Sequence, residues 1–417
     1  MNDFLSDYLL YHSYYEVPRN FAIWSGIAAL GAVVNRKVYF YHGDIKIHSN
    51  VYVMLIGPPG KGKSVCCDFA CRFFEQACPD YETGASTQSA EDIVMNMAKD
   101  DFVRAYTDET GELKEVRPYA FFISEFKDFI AYAPSRMLPF LTNIYDRDES
   151  FRASTIKRGL ENIVNPSVNI LACENPEILV NYIKGDIVSG GFSRRCIYCY
   201  ETESPEPKAF IELDCIALHA KQRIIKRMSQ ARSTVGRFQW TEAGKKFYKP
   251  WYEAKQKMTY PNALMAGYMS TKHVQLFKTC MLLDAVSDKP MLVFTDELLQ
   301  LGLLLLDLVE VNMPKLTIAA GRNELAMPQH RLLELIASNQ GHVVEKRLLA
   351  ETDNDLGPDE GLRVLRHLEN TERIVRVPMK RNGVTKVEIW LIDHFRKAAA
   401  QGNVKKEGNE YVWKPTV

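Results

Sequence analysis

Alternating and continuous apolar stretches predict an α/β region in the first half of the chain. Apolar residues recur mostly at helical spacing over residues 18–34, and residues 38–42 alternate as a half-buried strand does. Residues 51–56 form a continuous apolar run, which is typical of a strand covered on both faces. The stretch after Lys63 is predicted to be a helix that continues through Phe74.

The alternation of strands and helices continues beyond this helix. Two more strands are predicted at residues 120–124 and 168–173, with helical segments at residues 90–98 and 126–131. Such an order of elements predicts a three-layer α/β core.

Two prolines in TESPEPK, residues 202–208, interrupt the pattern after a further strand at residues 197–200. From there to Leu308 the periodicity is mostly helical, which predicts a helical lid subdomain. Residues 314–328 mix Gly, Asn and Pro with little periodic order and predict a domain boundary.

The C-terminal segment has its own complete pattern. Asn382-Gly383 is a signal for a tight hairpin, because both residues tolerate the positive φ angles of such a turn. Three short helices followed by a two-stranded ribbon predict a winged helix-turn-helix domain. The expected helices are residues 329–339, 345–351 and 358–370, and the expected strands are residues 374–378 and 386–392.

Composition and charge narrow the class of protein. The hydrophobic fraction of 46% and the charged fraction of 25% are those of an ordinary globular protein. Basic and acidic residues each number 52, so a nucleic-acid partner would have to be held by a local basic surface. The chain starts without a basic and then apolar leader, and its apolar stretches are too short to span a bilayer. A cytoplasmic protein without a membrane partner is expected.

The nine cysteines fit reduced thiols in a cytosol better than a disulfide framework. Cys196 and Cys199 have the spacing of metal ligands, but no second Cys or His pair follows closely. The sequence CIYCY alternates as a strand does, so a strand is favoured over a zinc site.

Residues 57–64 have the sequence GPPGKGKS, which fits the phosphate-binding P-loop pattern GxxxxGK(S/T). In this pattern backbone N–H groups surround the β-phosphate, the lysine neutralises the β and γ oxygens, and the hydroxyl binds Mg²⁺. The alternative is a glycine turn that binds nothing, which the apolar strand before the loop disfavours. The predicted cofactors are ATP and Mg²⁺, with Ser64 on the metal. The predicted nucleotide-binding residues are Gly57, Pro58, Pro59, Gly60, Lys61, Gly62, Lys63, Ser64 and Val65.

An ATPase also needs a carboxylate at the end of a neighbouring buried strand, where it polarises the attacking water and helps to hold the metal. Glu125 is predicted as this base and metal partner, although many such strands end in Asp-Glu and this one ends in Ser124-Glu125. The alternative for Glu125 is a carboxylate that stabilises the start of the following helix. Asn175, after the next core strand, is the candidate that orients the same water, but Asn before Pro176 also suits a plain turn.

The segment GGFSRR, residues 190–195, places two arginines after a glycine pair. An arginine finger that reaches the γ-phosphate of a neighbouring subunit needs this arrangement, and Arg194 is preferred over Arg195. The alternative is a solvated or core-pairing arginine pair. Lys272, near the start of a helix, is a candidate nucleotide contact from the lid side, with an ordinary surface lysine as the alternative.

The sequence DRDESFRASTIKRGLENI, between the strands before Glu125 and Asn175, is a candidate hairpin for a nucleic-acid backbone. An ordinary exposed hairpin of mixed charge is the alternative. The predicted DNA-binding residues are Phe151, Arg152, Lys157 and Arg158.

Basic residues in the C-terminal domain also suit phosphate contact. Nearby acidic residues argue against strong duplex binding, and winged helices also dock proteins, so both partners stay open. The basic residues are Arg363, Arg366 and His367 on the third helix and Lys380 and Arg381 at the wing tip.

Taken together, the pre-loop helix, GPPGKGKS, the FFISEF strand, the basic hairpin before residues 164–177 and GGFSRR resemble a phage and prophage family of P-loop ATPases from DNA replication modules. That family is similar to AAA+ and RecA-like hexameric helicases. The likeness covers residues 18–284, and a winged helix is a common companion.

The resemblance implies an ATP-driven replicative helicase that assembles as a ring, expected to be hexameric. Arg194 or Arg195 would complete the neighbour's site, while Arg152, Lys157 and Arg158 would face single-stranded or forked DNA in the channel. The expected domains are an N-terminal extension (1–50), a P-loop ATPase core (51–205), a helical lid with linker (206–325) and a winged helix (326–417).

Two departures from the family pattern stand out. Ser124 replaces the first acid of the acidic pair, and no primase or zinc-binding domain precedes the ATPase. A primase or initiator, if the protein uses one, is expected to be a separate chain.

Two other functions stay open at this point. An ATP-switched replication initiator or helicase loader would use the same loop and winged helix without processive unwinding. A protein-remodelling or defence AAA+ ATPase would grip a polypeptide with the same hairpin.

Overall fold

A computed structural model describes residues 2–131, 133–155, 159–179, 191–203, 205–260, 263–316, 326–352, 358–408 and 410–413. The chain forms two compact units, Met1–Ile318 and Ala319–Val417, and each has a mixed α/β structure. Among the described residues, none of the helices combines the length and the apolar character that crossing a bilayer requires.

The first unit alternates helices and strands along most of its length. Its helices are α1 (Asp3–His12), α2 (Arg19–Val34), α3 (Lys63–Ala77), α4 (Ala90–Ala98), α5 (Phe126–Ile130), α6 (Pro134–Tyr145), α7 (Cys215–Ala231), α8 (Glu242–Lys255), α9 (Ala263–Ala285) and α10 (Asp296–Glu310). Its strands are β1 (Val38–His42), β2 (Ile45–His48), β3 (Tyr52–Ile56), β4 (Arg104–Thr107), β5 (Leu113–Ile123), β6 (Ser150–Thr155), β7 (Gly159–Val164), β8 (Pro166–Glu174), β9 (Cys196–Tyr200), β10 (Gly236–Trp240) and β11 (Val293–Phe294).

A five-stranded sheet in the order β4-β5-β8-β3-β9 forms the centre of this unit. β5, β8, β3 and β9 are parallel, and only β4 runs antiparallel to its neighbour. Every residue of β3, β8 and β9 is buried. For β3 this agrees with its continuous apolar run, which is typical of a strand covered on both faces. Cys196 and Cys199 lie in β9, and both are buried.

Helix α2 packs closely against this sheet. Apolar residues occur on nearly all sides of this helix, and all of its sixteen residues except the first two are buried. A Cβ atom on Gly31 would lie 2.7 Å from both Asn169 Oδ1 and Val51 Cγ2, so only glycine allows this approach. The Asn169 amide oxygen in turn accepts a hydrogen bond of 2.9 Å from the Val51 N–H.

A second sheet, in the order β11-β10-β1-β2, joins distant parts of the sequence. β10 and β11 lie in the segment predicted to be mostly helical, so that prediction is wrong at these two strands. β10 runs parallel to β1 with Val38 opposite Gly236, and β11 has only two residues. Strands this short give little periodic signal. The strand β1 that pairs with β10 is also distant in the sequence, while β11 pairs with β10.

Aromatic side chains fill the space between this second sheet and α9. The Phe294 ring lies 5.0 Å from Phe40, 4.8 Å from Phe238, 4.9 Å from Trp240 and 5.3 Å from Phe277, measured between centroids. Residues from β1, β10, β11 and α9 therefore share one buried cluster, with Phe294 at its centre and fully buried.

The second unit has four helices and five strands in its described part. They are α11 (Ala326–Ser338), β12 (His342–Val344), α12 (Glu345–Thr352), α13 (Pro358–Asn370), β13 (Ile374–Arg381), β14 (Val384–Leu391), α14 (Ile392–Ala400), β15 (Val404–Glu407) and β16 (Glu410–Trp413). The first three helices and the β13–β14 hairpin agree with the expected elements. Asn382 and Gly383 have φ angles of 49° and 80°, as the tight turn requires.

The sequence patterns do not predict the remaining elements of this unit. β16 pairs in parallel with β13, and β15 extends the sheet to the order β12-β14-β13-β16-β15. β15 has the sequence VKKE, with only Val404 buried, so its apolar pattern is too weak to identify it.

Replacing Phe294 by Ala should destabilise the first unit by about 3–5 kcal/mol, because a fully buried ring would leave a cavity among four aromatic neighbours. Urea unfolding followed by circular dichroism measures the change. Leu304→Ala on α10, where the side chain is exposed, is the matched control and should change stability by less than about 1 kcal/mol. Equal urea midpoints for the two variants would contradict the expected contribution of Phe294 to stability.

Candidate functional site

Three parallel strands bring the ends of three sequence segments to one edge of the central sheet. β3 leads into the glycine loop, residues 57–62, while β5 leads to Glu125 and β8 to Glu174 and Asn175. β8 lies between the other two strands. Since parallel strands end at the same edge of a sheet, these segments are neighbours in space, and this edge is where open α/β sheets bind ligands.

Two glycines of this loop have positive φ angles. Gly60 and Gly62 have φ angles of 77° and 73°. A Cβ atom on Gly62 would lie 2.7 Å from Val17 Cγ1. Both the positive φ angle of Gly62 and this close approach therefore require glycine at this position. Helix α3 begins directly after Gly62, and within the described chain no side chain caps its first turn. The N–H groups of that turn therefore remain available to an anion.

The Lys63 ammonium is buried at the base of this loop, with the residue only 9% exposed. It donates to the carbonyl oxygens of Gly57 at 2.5 Å and Pro58 at 2.9 Å, and to Asn175 Oδ1 at 3.1 Å. Within the described chain, no carboxylate lies within the 4.0 Å of an ion pair. The structure therefore brings together Lys63 and Asn175, which lie 112 residues apart in the sequence.

Burial lowers the pKa of Lys63, while the charges of Glu125 and Glu174 act in the opposite direction. The two carboxylates are thus close enough to the ammonium to influence its charge. A bound polyphosphate would supply the negative charge that carbonyl and amide oxygens do not.

Glu125 is the residue that precedes α5, and its side chain is 49% exposed. Its carboxylate lies 3.7 Å from the Lys127 ammonium. Ser124 beside it is also exposed. Glu125 is accessible to water at the strand edge, which a general base requires.

Glu174 is a second carboxylate at this edge, and the sequence analysis assigns it no role. The residue is 1% exposed and accepts hydrogen bonds from the backbone N–H of Lys127 at 2.7 Å and of Asn175 at 2.8 Å. Burial raises its pKa, and the neighbouring charge of Glu125 adds to this shift. Glu174 therefore joins the turn that carries Glu125 to the end of β8. The signal in the sequence was an acid directly after the apolar residues 170–173 of this strand.

Ser64 and Val65 lie in the first turn of α3 and are both exposed. In the described part of the chain, no group of three or more His, Cys, Asp or Glu side chains forms a metal site. A magnesium ion held by the Ser64 hydroxyl, Glu125 and phosphate oxygens does not need such a group, because Mg²⁺ keeps several waters and binds through one or two protein oxygens. The residues present fit this mode of binding.

The two candidate finger residues have different surroundings. Arg195 donates to Asp146 Oδ2 at 2.8 Å and to the Gly191 carbonyl at 2.7 Å, so it is engaged within its own subunit. Arg194 is exposed, and among the described residues its guanidinium has no hydrogen-bond or ion-pair partner. Its backbone carbonyl accepts from the Thr271 hydroxyl at 2.6 Å. Among the described residues, therefore, a guanidinium partner is found for Arg195 and not for Arg194.

Lys272 is buried in α9 and forms ion pairs with Asp307 at 2.7 Å and Glu310 at 2.6 Å. Both acids belong to α10, so the observed partners of this lysine lie within the helical part of the unit. Contact with a nucleotide stays a prediction.

The predicted hairpin consists of the antiparallel strands β6 and β7. Ser150 lies opposite Val164 at one end of the pairing, and Thr155 lies opposite Gly159 at the other. The Phe151 ring packs edge-on against Phe140 of α6 at 5.4 Å, opposite the buried Ile163. Arg152 lies opposite Asn162 and is exposed. Phe151 thus attaches the hairpin to α6, and its contact with DNA stays a prediction. Lys157 and Arg158 lie outside the described residues.

In the second unit, Arg363, Arg366 and His367 are exposed on α13. Lys380 is exposed at the end of β13, whereas Arg381 pairs with Glu388 at 2.8 Å and lies over the Trp413 ring at 4.5 Å. The helix therefore offers more accessible cations than the hairpin tip.

No protein-family model matches the chain, and no curated protein sequence matches it.

Glu174→Ala should loosen the connection between β8 and the turn after β5, because two backbone N–H groups lose their acceptor. Hydrogen exchange measured by mass spectrometry should be roughly 10-fold faster in peptides that contain Lys127 and Asn175. Glu177→Ala, at an exposed position close by, is the control and should leave both peptides unchanged. Unaltered exchange in the Glu174 variant would contradict its positioning role.

Proposed function

We propose that this chain hydrolyses ATP and acts as a ring-forming DNA translocase or helicase in the replication of a phage or mobile element. The observation that carries the nucleotide part is the buried Lys63 ammonium, held by loop carbonyls and Asn175 beside two carboxylates. The ring, the DNA substrate and the replication role rest on the sequence resemblance. In this proposal the first unit contains a P-loop ATPase core, and the second unit is a winged helix.

The glycine loop and the first turn of α3 would hold the triphosphate. Backbone N–H groups with no partner inside the helix would donate to phosphate oxygens, and the Lys63 ammonium would neutralise the β and γ oxygens. Lys63 already lies among neutral oxygen atoms, so a phosphate could replace the Gly57 and Pro58 carbonyls without first breaking an ion pair. The bound Mg²⁺ would withdraw negative charge from the phosphate oxygens.

Glu125 would take the proton of the attacking water, since its carboxylate is exposed at the edge where the loop ends. Asn175 is bonded to Lys63 through Oδ1, so it lies where a polar side chain can orient that water. Glu174 would not touch the water. It would fix the turn that carries Glu125, as its two bonds to backbone N–H groups indicate.

Arg194 would complete the site of a neighbouring subunit. An arginine finger must be free to leave its own surroundings, and Arg194 meets this condition better than Arg195, which is paired with Asp146. In the ring, ATP hydrolysis at one site would therefore depend on the position of the next subunit.

The β6–β7 hairpin would contact single-stranded DNA through Arg152, Lys157 and Arg158. Exposed cations on a hairpin can follow a phosphate backbone without reading its sequence. The exposed cations of α13 suit a second contact to phosphate in the winged helix. The chain as a whole has no net charge, so DNA binding would depend on these local surfaces.

Lys63→Ala and Glu125→Gln should separate nucleotide binding from turnover. Losing the ammonium should weaken ATP binding by 10-fold or more, because charge-assisted bonds to phosphate contribute about 1.5–3 kcal/mol. Glu125→Gln keeps the shape of the side chain but removes the base, so ATP should still bind while kcat falls roughly 100-fold or more. Isothermal titration calorimetry and phosphate release measure the two effects. Normal turnover by the Glu125 variant would remove its assignment as the base.

The double variant Lys157→Ala/Arg158→Ala should lose affinity for single-stranded DNA but retain ATP binding. Removing two phosphate contacts should also reduce the slope of log K against log salt by about 1.4, as expected for single strands. Fluorescence anisotropy with an oligonucleotide at several salt concentrations measures both quantities. Lys245→Ala/Lys249→Ala on α8 is the matched control of equal charge change. Unchanged DNA affinity in the hairpin variant would favour a polypeptide cargo.

A further inference from the structure

A cavity of about 410 Å³ in the first unit has an excess of positive charge. It lies among the β1–β2 hairpin, the end of α6, the turn that carries Arg194 and Arg195, and α9. Among the described residues that line it, four are lysines or arginines, Lys46, Arg194, Arg195 and Lys278, and one is a carboxylate, Asp146. The glycine loop contributes no residue to this lining, so the cavity is separate from the candidate nucleotide site.

Lys278 is the most buried of these cations, with 3% of the residue exposed. Its ammonium donates to the Asn50 carbonyl at 2.9 Å and to Asn50 Oδ1 at 2.8 Å, and lies 4.1 Å from the centre of the Tyr145 ring. Within the described chain, no carboxylate approaches within ion-pair distance. Burial lowers the pKa of Lys278 to about 7, while the charge of Asp146 acts in the opposite direction.

The other three cations are only partly neutralised. Arg195 pairs with Asp146, and Lys46 lies 3.8 Å from Asp148, a carboxylate that also contacts Arg36 and His48. Arg194 has no partner among the described residues. Four lysine and arginine side chains therefore line the cavity, and two of them, Arg194 and Lys278, have no carboxylate among the described residues within ion-pair distance.

We propose that this cavity binds a phosphoryl oxyanion. A phosphate group accepts several hydrogen bonds at once, and lysine and arginine side chains from different elements provide donors around it. Lys278 is already held in place by Asn50, so little conformational freedom would be lost on binding. The phosphate can belong to a nucleotide or to the backbone of a polynucleotide, because both present the same oxygen atoms.

This inference does not depend on the ATPase assignment. It shares Arg194 and Arg195 with the proposed contact between subunits, but Lys46 and Lys278 have no part in that function. Substituting Lys63 removes phosphate binding by the glycine loop, so the cavity can be tested by itself.

The test uses the full chain carrying Lys63→Ala, titrated with tripolyphosphate in a calorimeter. Binding should persist in this background and should weaken at least 10-fold when Lys46→Ala and Arg194→Ala are added. Both side chains lie toward the surface, so the fold should survive, which circular dichroism checks. Lys289→Ala, an exposed lysine outside the cavity, is the control and should leave binding unchanged.

Competition then identifies the source of the phosphate. Displacement of tripolyphosphate by a single-stranded oligonucleotide, but not by ATP, would support the proposal with a polynucleotide ligand, and the reverse result would support it with a nucleotide. Absence of tripolyphosphate binding in the Lys63→Ala background would overturn the proposal. Equal affinity with and without Lys46 and Arg194 would overturn it as well.

Discussion

Burial of the Lys63 ammonium is the constraint on which the candidate site depends. A buried cation must have polar partners, and this one obtains them from two loop carbonyls and from Asn175 at the end of another strand. The lysine thereby fixes the glycine loop relative to β8. Because these partners are neutral, the site retains a charge that a polyphosphate can balance.

Three hydrogen bonds connect the segments that follow the strands at this edge of the sheet. Gly57 N–H donates to the Glu174 carbonyl at 3.3 Å, Lys63 bonds to Asn175, and the Glu174 carboxylate accepts from Lys127 N–H. The loop, the end of β8 and the turn after β5 are thus linked through one segment, residues 174–175. A change in the position of the loop would be transmitted to the turn that carries Glu125 through this segment.

Residue patterns predict the elements of this edge well. β3 was identifiable because its apolar run is continuous and β9 because CIYCY alternates, and GPPGKGKS indicated the loop and the start of α3. Other features depend on contacts between distant residues. β10 is a strand because it pairs with the distant β1, and β11 because it pairs with β10. Glu174 is a positioning residue because its carboxylate meets the backbone of Lys127. Likewise, Arg195 pairs with Asp146 because the end of α6 lies beside it. The sequence GGFSRR alone gives no indication of this contact.

The proposed function requires that the energy of ATP hydrolysis moves DNA. The decisive measurement is the displacement of a labelled strand from a forked duplex by the purified protein, with Mg²⁺ and ATP. Displacement should require hydrolysable ATP, and single-stranded DNA should stimulate ATP turnover. A protein that binds and hydrolyses ATP but never separates the fork, and whose turnover is indifferent to single-stranded DNA, would contradict the proposed function.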